Sequence, residues 1–312
     1  MGIFLGMWIP VGIATAFCWY LAATGAHVAA WRELDIHVMG VASLTGRLGI
    51  IFLGSLVIWL LGLADDRWDI SPWIRLAVET GVALMLVLSG LNVSLFVESA
   101  FTRGVITVVW VVCLINAFNM LDNMDGLSAG VATIIAAFFC IVAFQTGHVF
   151  IGAFLSCLIG AIAGFLIFNF PPASIFMGDS GSTTIGYLLA VMTVEHTFFQ
   201  AERPYFPIVM PLMMFGLPLF DMVTVVWIRL RSGRSPFRGD TNHFSHRLVA
   251  LGMSRRQAVL AIYLVTATVA LGATVLYYAS STAILVIFAQ TIAIFTIIGI
   301  LESARPDKTR EQ

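Results

Sequence analysis

Apolar stretches long enough to cross a lipid bilayer constrain this chain more than any other feature of its sequence. A helix of about 20 apolar residues spans the hydrocarbon core of a membrane. The sequence predicts ten such spans, at 3–23, 48–64, 73–90, 104–121, 127–146, 149–168, 182–199, 205–228, 257–278 and 282–301. Only 11% of the residues are charged, against about 25% in a soluble domain, which excludes a soluble globular protein. We predict an all-α polytopic membrane protein with one domain, 1–312, a polar loop at 229–256 and a short polar tail at 302–312.

Acidic residues gather where several of these spans end. Ten spans place the ends of the second, fourth, sixth and eighth on one face, and the acidic groups lie at or near those four ends. Carboxylates beside lipid are costly and repel each other unless a cation joins them. The pattern therefore indicates a metal-dependent site at one membrane face. The groups contain Asp65, Asp66 and Asp69, then Asn119, Asp122 and Asp125, then Asp179, and finally Asp221.

The basic residues indicate which face this is. Of the 16 Lys and Arg residues, four lie on the opposite face: Arg32, Arg47, Arg103 and Arg203. The other 12 lie on the acidic face, and the positive-inside rule makes that face cytoplasmic. The connection at 24–47 on the outer side contains a segment, 28–34, that could lie as a short interfacial helix.

Each acidic group has a structural and a functional interpretation. The acids at 65–69 are either a solvated helix end or, if the helix continues, carboxylates on adjacent faces that could hold a divalent cation. Asn119, Asp122 and Asp125 are either a polar hinge or a stripe that binds metal, phosphate or a nucleobase edge. Asp179 is either an N-cap or a metal ligand beside backbone N–H groups suited to phosphate.

The loop at 229–256 has the side chains that a diphosphate requires. Arg238, His243, His246 and Arg247 supply donors in and just before the segment Asp240-Thr241-Asn242-His243-Phe244-Ser245-His246-Arg247. Asp221, inside the eighth span, is either a buried partner of loop arginines or a site residue. Taken together, the groups indicate a divalent ion, a phosphorylated soluble substrate and a membrane-embedded co-substrate.

Several ordered motifs resemble the polyprenyl-phosphate N-acetylhexosamine-1-phosphate transferases of glycosyltransferase family 4. The resemblance is to the branch that initiates enterobacterial antigen and teichoic acid, and more distantly to the peptidoglycan translocase. It covers nearly the whole chain. The matching segments are 63–69 (LADDRWD), 116–127 (NAFNMLDNMDGL), 168–173 (FNFPPA), 176–182 (FMGDSGS), 235–237 (SPF) and 243–248 (HFSHRL).

The resemblance implies a Mg²⁺-dependent reaction, with Mn²⁺ as the alternative ion. A polyprenyl phosphate would attack the β-phosphorus of a UDP-N-acetylhexosamine, with UDP-N-acetylglucosamine expected as donor, and UMP would leave. It implies catalytic roles for Asp65, Asp66, Asp122 and Asp125, metal ligation by Asp179 and Asp66, and substrate binding by Asn119, Asn169, Arg238, His243, His246 and Arg247. Asp65 is the candidate base, although direct attack by an already ionised phosphate is equally open. The product would begin a cell-envelope polysaccharide.

Two departures from the family pattern are visible. Relatives read His-x-His-His-Arg where this chain has Ser245, so an expected diphosphate donor is a hydroxyl. Relatives also have eleven spans, and the first span and its following basic segment are expected to be missing here.

The sequence supports other functions less well. A secondary transporter would place acids near the middle of the membrane and in matched halves, and a catalytically impaired, shortened homologue is a further alternative. The expected partners are polyprenyl phosphate, a UDP-sugar and membrane lipid, without nucleic acid and with homodimerisation left open. The expected location is the plasma membrane.

Overall fold

Helices and the loops that join them make up the part of the protein that the structure, a computed structural model, describes: residues 1–24, 34–93, 98–196, 206–237 and 239–303. No strand occurs within those ranges. The helices are α1 (Gly2–Thr24), α2 (Leu34–Trp68), α3 (Pro72–Leu88), α4 (Ala100–Leu121), α5 (Leu127–Gln145), α6 (Val149–Asn169), α7 (Gly178–His196), α8 (Phe206–Met214), α9 (Gly216–Arg231), α10 (Phe244–Ala250), α11 (Arg255–Val275) and α12 (Ser281–Ser303).

The helices confirm the prediction of an all-α protein with many membrane-length helices. Over its described residues, every predicted span coincides with a helix or with a pair of helices. Among the described residues, seven helices are long and apolar enough to cross a membrane, or eight if α8 and α9 form one bent span. Helix α3 has only 17 residues, and α7 opens with the polar sequence Gly-Asp-Ser-Gly-Ser-Thr-Thr. Both still pack among the longer helices.

Helix α2 is much longer than predicted. It begins at Leu34, inside the connection predicted at 24–47, and continues for 35 residues to Trp68. Its segment Leu44–Trp68 is long and apolar enough to cross a membrane. The preceding turns are more polar, so hydropathy alone placed the start too late. Most of the predicted interfacial segment, 28–33, lies outside the described residues.

The predicted span at 205–228 is bent. Helices α8 and α9 meet at an angle of 71° after Met214. Pro218 has no N–H to donate to the carbonyl one turn earlier, so the regular hydrogen-bond ladder cannot pass through this point. At the bend, the ring of Phe215 contacts the rings of Trp110 and Phe118 of α4.

Helix α7 lies at the centre of the bundle. Its residues 187–192 have no exposed surface, as expected of a helix surrounded by others. It packs against α2 and α4, and glycine permits the closest approach. A Cβ at Gly62 of α2 would lie 2.4 Å from the Cα of Ser180. The start of α7 is therefore fixed against the end of α2.

Candidate active site

Arg75, in the first turn of α3, joins four helices at one end of the bundle. Its Nη1 is paired with Asp65 of α2 and lies 3.0 Å from Asp179 Oδ2 of α7. Its Nη2 donates to Asn119 Oδ1 of α4 at 3.1 Å. The predicted convergence of Asp65, Asn119 and Asp179 is thus present. The sequence analysis counted Arg75 only among the basic residues that set the membrane orientation. Its position in the first turn of the helix that follows Asp65 and Asp66 was the available signal.

Asp66 caps the N-terminus of α7. Its Oδ1 accepts from the backbone N–H of Asp179 at 2.7 Å, and its Oδ2 accepts from that of Ser180 at 3.3 Å. Gly178 permits this contact because its φ is +65° and a Cβ there would lie 2.7 Å from Asp66 Oδ2. Asp179 is therefore not the N-cap that its position allowed. Its side chain is instead directed at Arg75.

Asp69 does not join this cluster. Helix α2 does continue through Asp65 and Asp66, as the functional interpretation required, but it ends at Trp68. Asp69 has a φ of +48°, and it is exposed. A residue in the left-handed region ends a helix, so its side chain leaves the helical face that the three- and four-residue spacing predicted.

The polar stripe predicted at 119–125 is divided between a helix and a loop. Helix α4 ends at Leu121, so Asn119 lies on the last turn whereas Asp122 and Asp125 lie in the α4–α5 connection. Burial raises the pKa of Asp122 to about 7, and the negative charges of Asp179, Asp66 and Asp125 add to that rise. Asp122 is thus within electrostatic reach of the α2 and α7 acids.

The α4–α5 loop is held by the last residue of α6 and by the connection from α6 to α7. Asn169 Oδ1 accepts from the N–H of Gly126 at 3.0 Å, while its Nδ2 donates to the Ile175 carbonyl at 2.8 Å. Asp125 Oδ2 accepts from the N–H of Ala173 at 3.1 Å. Both side chains therefore shape the loop through backbone contacts. Their roles in catalysis and nucleotide binding stay predictions.

Asp221 holds the histidine segment, here defined as residues 243–247. Its Oδ2 lies 2.8 Å from His243 Nδ1, and its Oδ1 accepts from the N–H of Phe244 at 2.6 Å. All three residues are buried. Asp221 is thus a buried partner of the histidine segment, and it holds Nδ1 of His243 so that the ring presents Nε2 away from Asp221.

The remaining predicted substrate ligands differ in how they are placed. Burial lowers the pKa of His246, and the nearby His243 and Arg255 lower it further. Arg247 donates from Nη2 to Thr224 of α9 at 3.2 Å. Arg238 lies outside the described residues.

Arg229 closes the loop that leads to the histidine segment. It is 4% exposed, and its Nε and Nη2 reach the two carboxylate oxygens of Asp240 at 3.2 and 3.1 Å. Burial alone would raise the pKa of Asp240, but hydrogen bonds from Arg229 and Asn242 lower it to about 2. Arg229 is therefore a structural residue.

No group of three His, Cys, Asp or Glu side chains forms a ready-made metal site among the described residues. Arg75 joins the carboxylates of Asp65 and Asp179, and the carboxylate of Asp66 accepts from the backbone N–H of Asp179. Carboxylate oxygens fit Mg²⁺, which is commonly held by one or two carboxylates, with waters and substrate phosphates completing the coordination. The donor chemistry is therefore compatible with that ion.

The fold and this group of polar residues at one end of the bundle define a polytopic membrane protein. Its site is acidic, contains histidines and is suited to phosphorylated substrates. Comparison with known proteins gives the same class. Glycosyl transferase family 4 matches residues 48–197. A probable undecaprenyl-phosphate N-acetylglucosaminyl 1-phosphate transferase from Bacillus subtilis is 33% identical, over 79% of this chain and 72% of the relative.

Two further relatives carry corresponding names. A decaprenyl-phosphate N-acetylglucosaminephosphotransferase from Mycolicibacterium smegmatis is 30% identical over 96% of this chain and 87% of its own length. An undecaprenyl-phosphate alpha-N-acetylglucosaminyl 1-phosphate transferase from Escherichia coli K12 is 32% identical over 69% and 61%. The chain belongs to glycosyl transferase family 4 and is a transferase. These relatives do not favour the transporter alternative.

Proposed function

We propose that the protein transfers N-acetylglucosamine 1-phosphate from UDP-N-acetylglucosamine to a polyprenyl phosphate, releasing UMP. The observation that supports this best is the joining of Asp65, Asn119 and Asp179 by Arg75 at one end of the bundle. The histidine segment lies at that same end, because Ser245 donates to Asn123. Acids, a guanidinium and imidazoles at a membrane rim suit the exchange of one phosphoanhydride for another.

The reaction balances without a redox partner. A lipid phosphate oxygen forms a bond to the β-phosphorus, and the bond from that phosphorus to the bridging oxygen breaks. UMP leaves with the bridging oxygen and its electron pair. Phosphoryl transfer needs mainly positioning and neutralised charge. Arg75 and the imidazoles of His243 and His246 supply donors for the diphosphate.

We propose that Asp65 positions Arg75 and that the ionised lipid phosphate attacks directly. Asp65 is buried, paired with Arg75, and accepts from the N–H of Ile70 at 2.7 Å. Those contacts stabilise the carboxylate as an anion and make it a weak base. A phosphate monoester has its second pKa near 6 and is largely a dianion at neutral pH, so it needs no base.

We also propose that the enzyme requires Mg²⁺, held by Asp179 and Asp66. When bound, the ion would neutralise charge on the diphosphate. Arg75 contacts both Asp65 and Asp179. Its positive charge would offset the negative charge of Asp65, which would otherwise repel the substrate. The excess of basic residues on the site face supports a cytoplasmic orientation in the plasma membrane, where a UDP-sugar is available.

UMP release by the purified protein tests this function. We expect release that requires polyprenyl phosphate, UDP-N-acetylglucosamine and Mg²⁺ together. Asp66→Asn and Asp179→Asn should each reduce it by at least ~100-fold, since each removes a carboxylate at the point where charge must be neutralised. Asp69→Asn is the matched control, because Asp69 belongs to the same sequence cluster but follows the end of α2, off the helical face that carries Asp65 and Asp66, and it should retain activity. Normal turnover in the first two variants would refute the metal assignment.

A further inference from the structure

The hydroxyl of Ser245 connects the two halves of the proposed site. It donates a hydrogen bond to Asn123 Oδ1, across 122 positions of sequence. Ser245 is 1% exposed and lies in the histidine segment, between His243 and His246. Asn123 lies in the α4–α5 loop, next to Asp122. The contact therefore joins the segment that carries both imidazoles to the acidic loop.

The geometry fixes the direction of this bond. Asn123 Nδ2 donates to the carbonyl of Met120 at 2.9 Å, which orients the amide and turns its oxygen towards Ser245. A hydroxyl can supply the donor that this oxygen needs. Because Ser245 is buried, loss of its hydroxyl would leave Asn123 Oδ1 without a hydrogen-bond donor, and admitting a water molecule to that position would cost free energy. The hydroxyl is thus engaged within the protein and not directed at a substrate.

We propose that Ser245 is a positioning residue that locks the histidine segment onto the acidic loop, and not a ligand of the diphosphate. The inference rests on the proposed function. The lock is anchored at both ends: Asp221 holds His243 against α9, while Asn169 holds the loop through Gly126. Breaking it would free the imidazoles relative to Asp122. It should therefore affect the binding of the nucleotide diphosphate more than that of the lipid.

A double-mutant cycle of Ser245→Ala and Asn123→Ala tests the lock. Each single variant should raise the KM for UDP-N-acetylglucosamine by about 10-fold, as expected for a lost buried hydrogen bond, with the KM for polyprenyl phosphate little changed. The double variant should be no worse than the more impaired single one, because both changes break the same bond. Ser245→Thr keeps the hydroxyl and should retain more activity than Ser245→Ala.

Two results would overturn the inference. Losses that multiply to about 100-fold in the double variant would mean that Ser245 contacts the substrate independently of Asn123. An unchanged KM in Ser245→Ala would mean that the bond has no functional weight. Ser232→Ala, an exposed serine of the same loop, is the control and should match the unsubstituted protein. If the unsubstituted protein releases no UMP, that result counts against the proposed function. Thermal unfolding of the unsubstituted protein, the two single alanine variants and the double variant would still measure the coupling between Ser245 and Asn123.

Discussion

At the scale of single residues, the site depends on charged and polar side chains that hold one another in place. Arg75 is the clearest case, since it contacts Asp65, Asp179 and Asn119. One turn further into α3, Glu79 is 1% exposed and accepts from Asn116 Nδ2 at 2.6 Å. Asn116 lies one turn before Asn119 on α4. Glu79 and Asn116 therefore form a second polar contact between α3 and α4, one turn from the contact of Arg75 with Asn119.

Asp221 gives a prediction at this scale. Asp221→Ala would leave His243 Nδ1 and the N–H of Phe244 buried without their acceptor, at a cost of about 1–3 kcal/mol for each group. Asp221→Asn keeps one acceptor and should lose less. Thermal unfolding in detergent and UMP release check both, and we expect the alanine variant to lose at least ~10-fold in kcat/KM. A wild-type melting temperature in Asp221→Ala would contradict the role given to Asp221.

At the scale of elements, the close contact of α2 with α7 positions Asp179. Gly62→Ala would bring a Cβ to 2.4 Å from the Cα of Ser180, so the start of α7 must shift. We expect a loss of about 1–3 kcal/mol in the free energy of unfolding, as for other overpacked interiors, together with reduced UMP release. Gly49→Ala, on the same helix, is the matched control because a Cβ there meets nothing within 4 Å. Equal effects of the two substitutions would show that helix propensity, not this contact, decides the outcome.

The helices also show what the sequence could and could not predict. Apolar length located the spans, because the bilayer requires it, and the alternation of span ends placed the acids of α2, the α4–α5 loop and α7 together. Hydropathy missed the early start of α2 and the bend between α8 and α9, which depend on polar turns and on Pro218. Side-chain partners such as Asp221 with His243, or Ser245 with Asn123, are set by tertiary packing between distant segments. A single sequence contains no local signal for them.

At the scale of the whole molecule, the acidic site should make stability depend on pH. The pKa of Asp122 rises from 3.8 to about 7 on folding. Below about pH 4 the side chain is protonated in both states. Between pH 4 and 7 only the unfolded chain is ionised, so folding stability falls by about 1.4 kcal/mol per pH unit, and above 7 the fall stops. Below pH 7 the folded protein therefore retains a mostly neutral acid in the α4–α5 loop.

Asp122→Asn should remove this dependence. In buffer with a chelator, the melting temperature of the variant minus that of the unsubstituted protein should increase from pH 5 to 7 and stay level from about pH 8, while UMP release is reduced.

Asp240→Asn provides a control of opposite sign. The pKa of Asp240 falls from 3.8 to about 2 on folding, so its stabilisation is present above pH 4 and lost only as the pH approaches 2. That variant should be less stable by a constant amount between pH 5 and 8. If the Asp122→Asn difference is equally constant, Asp122 is ionised in the folded protein throughout that range, and the acids of this rim are not electrostatically coupled to it.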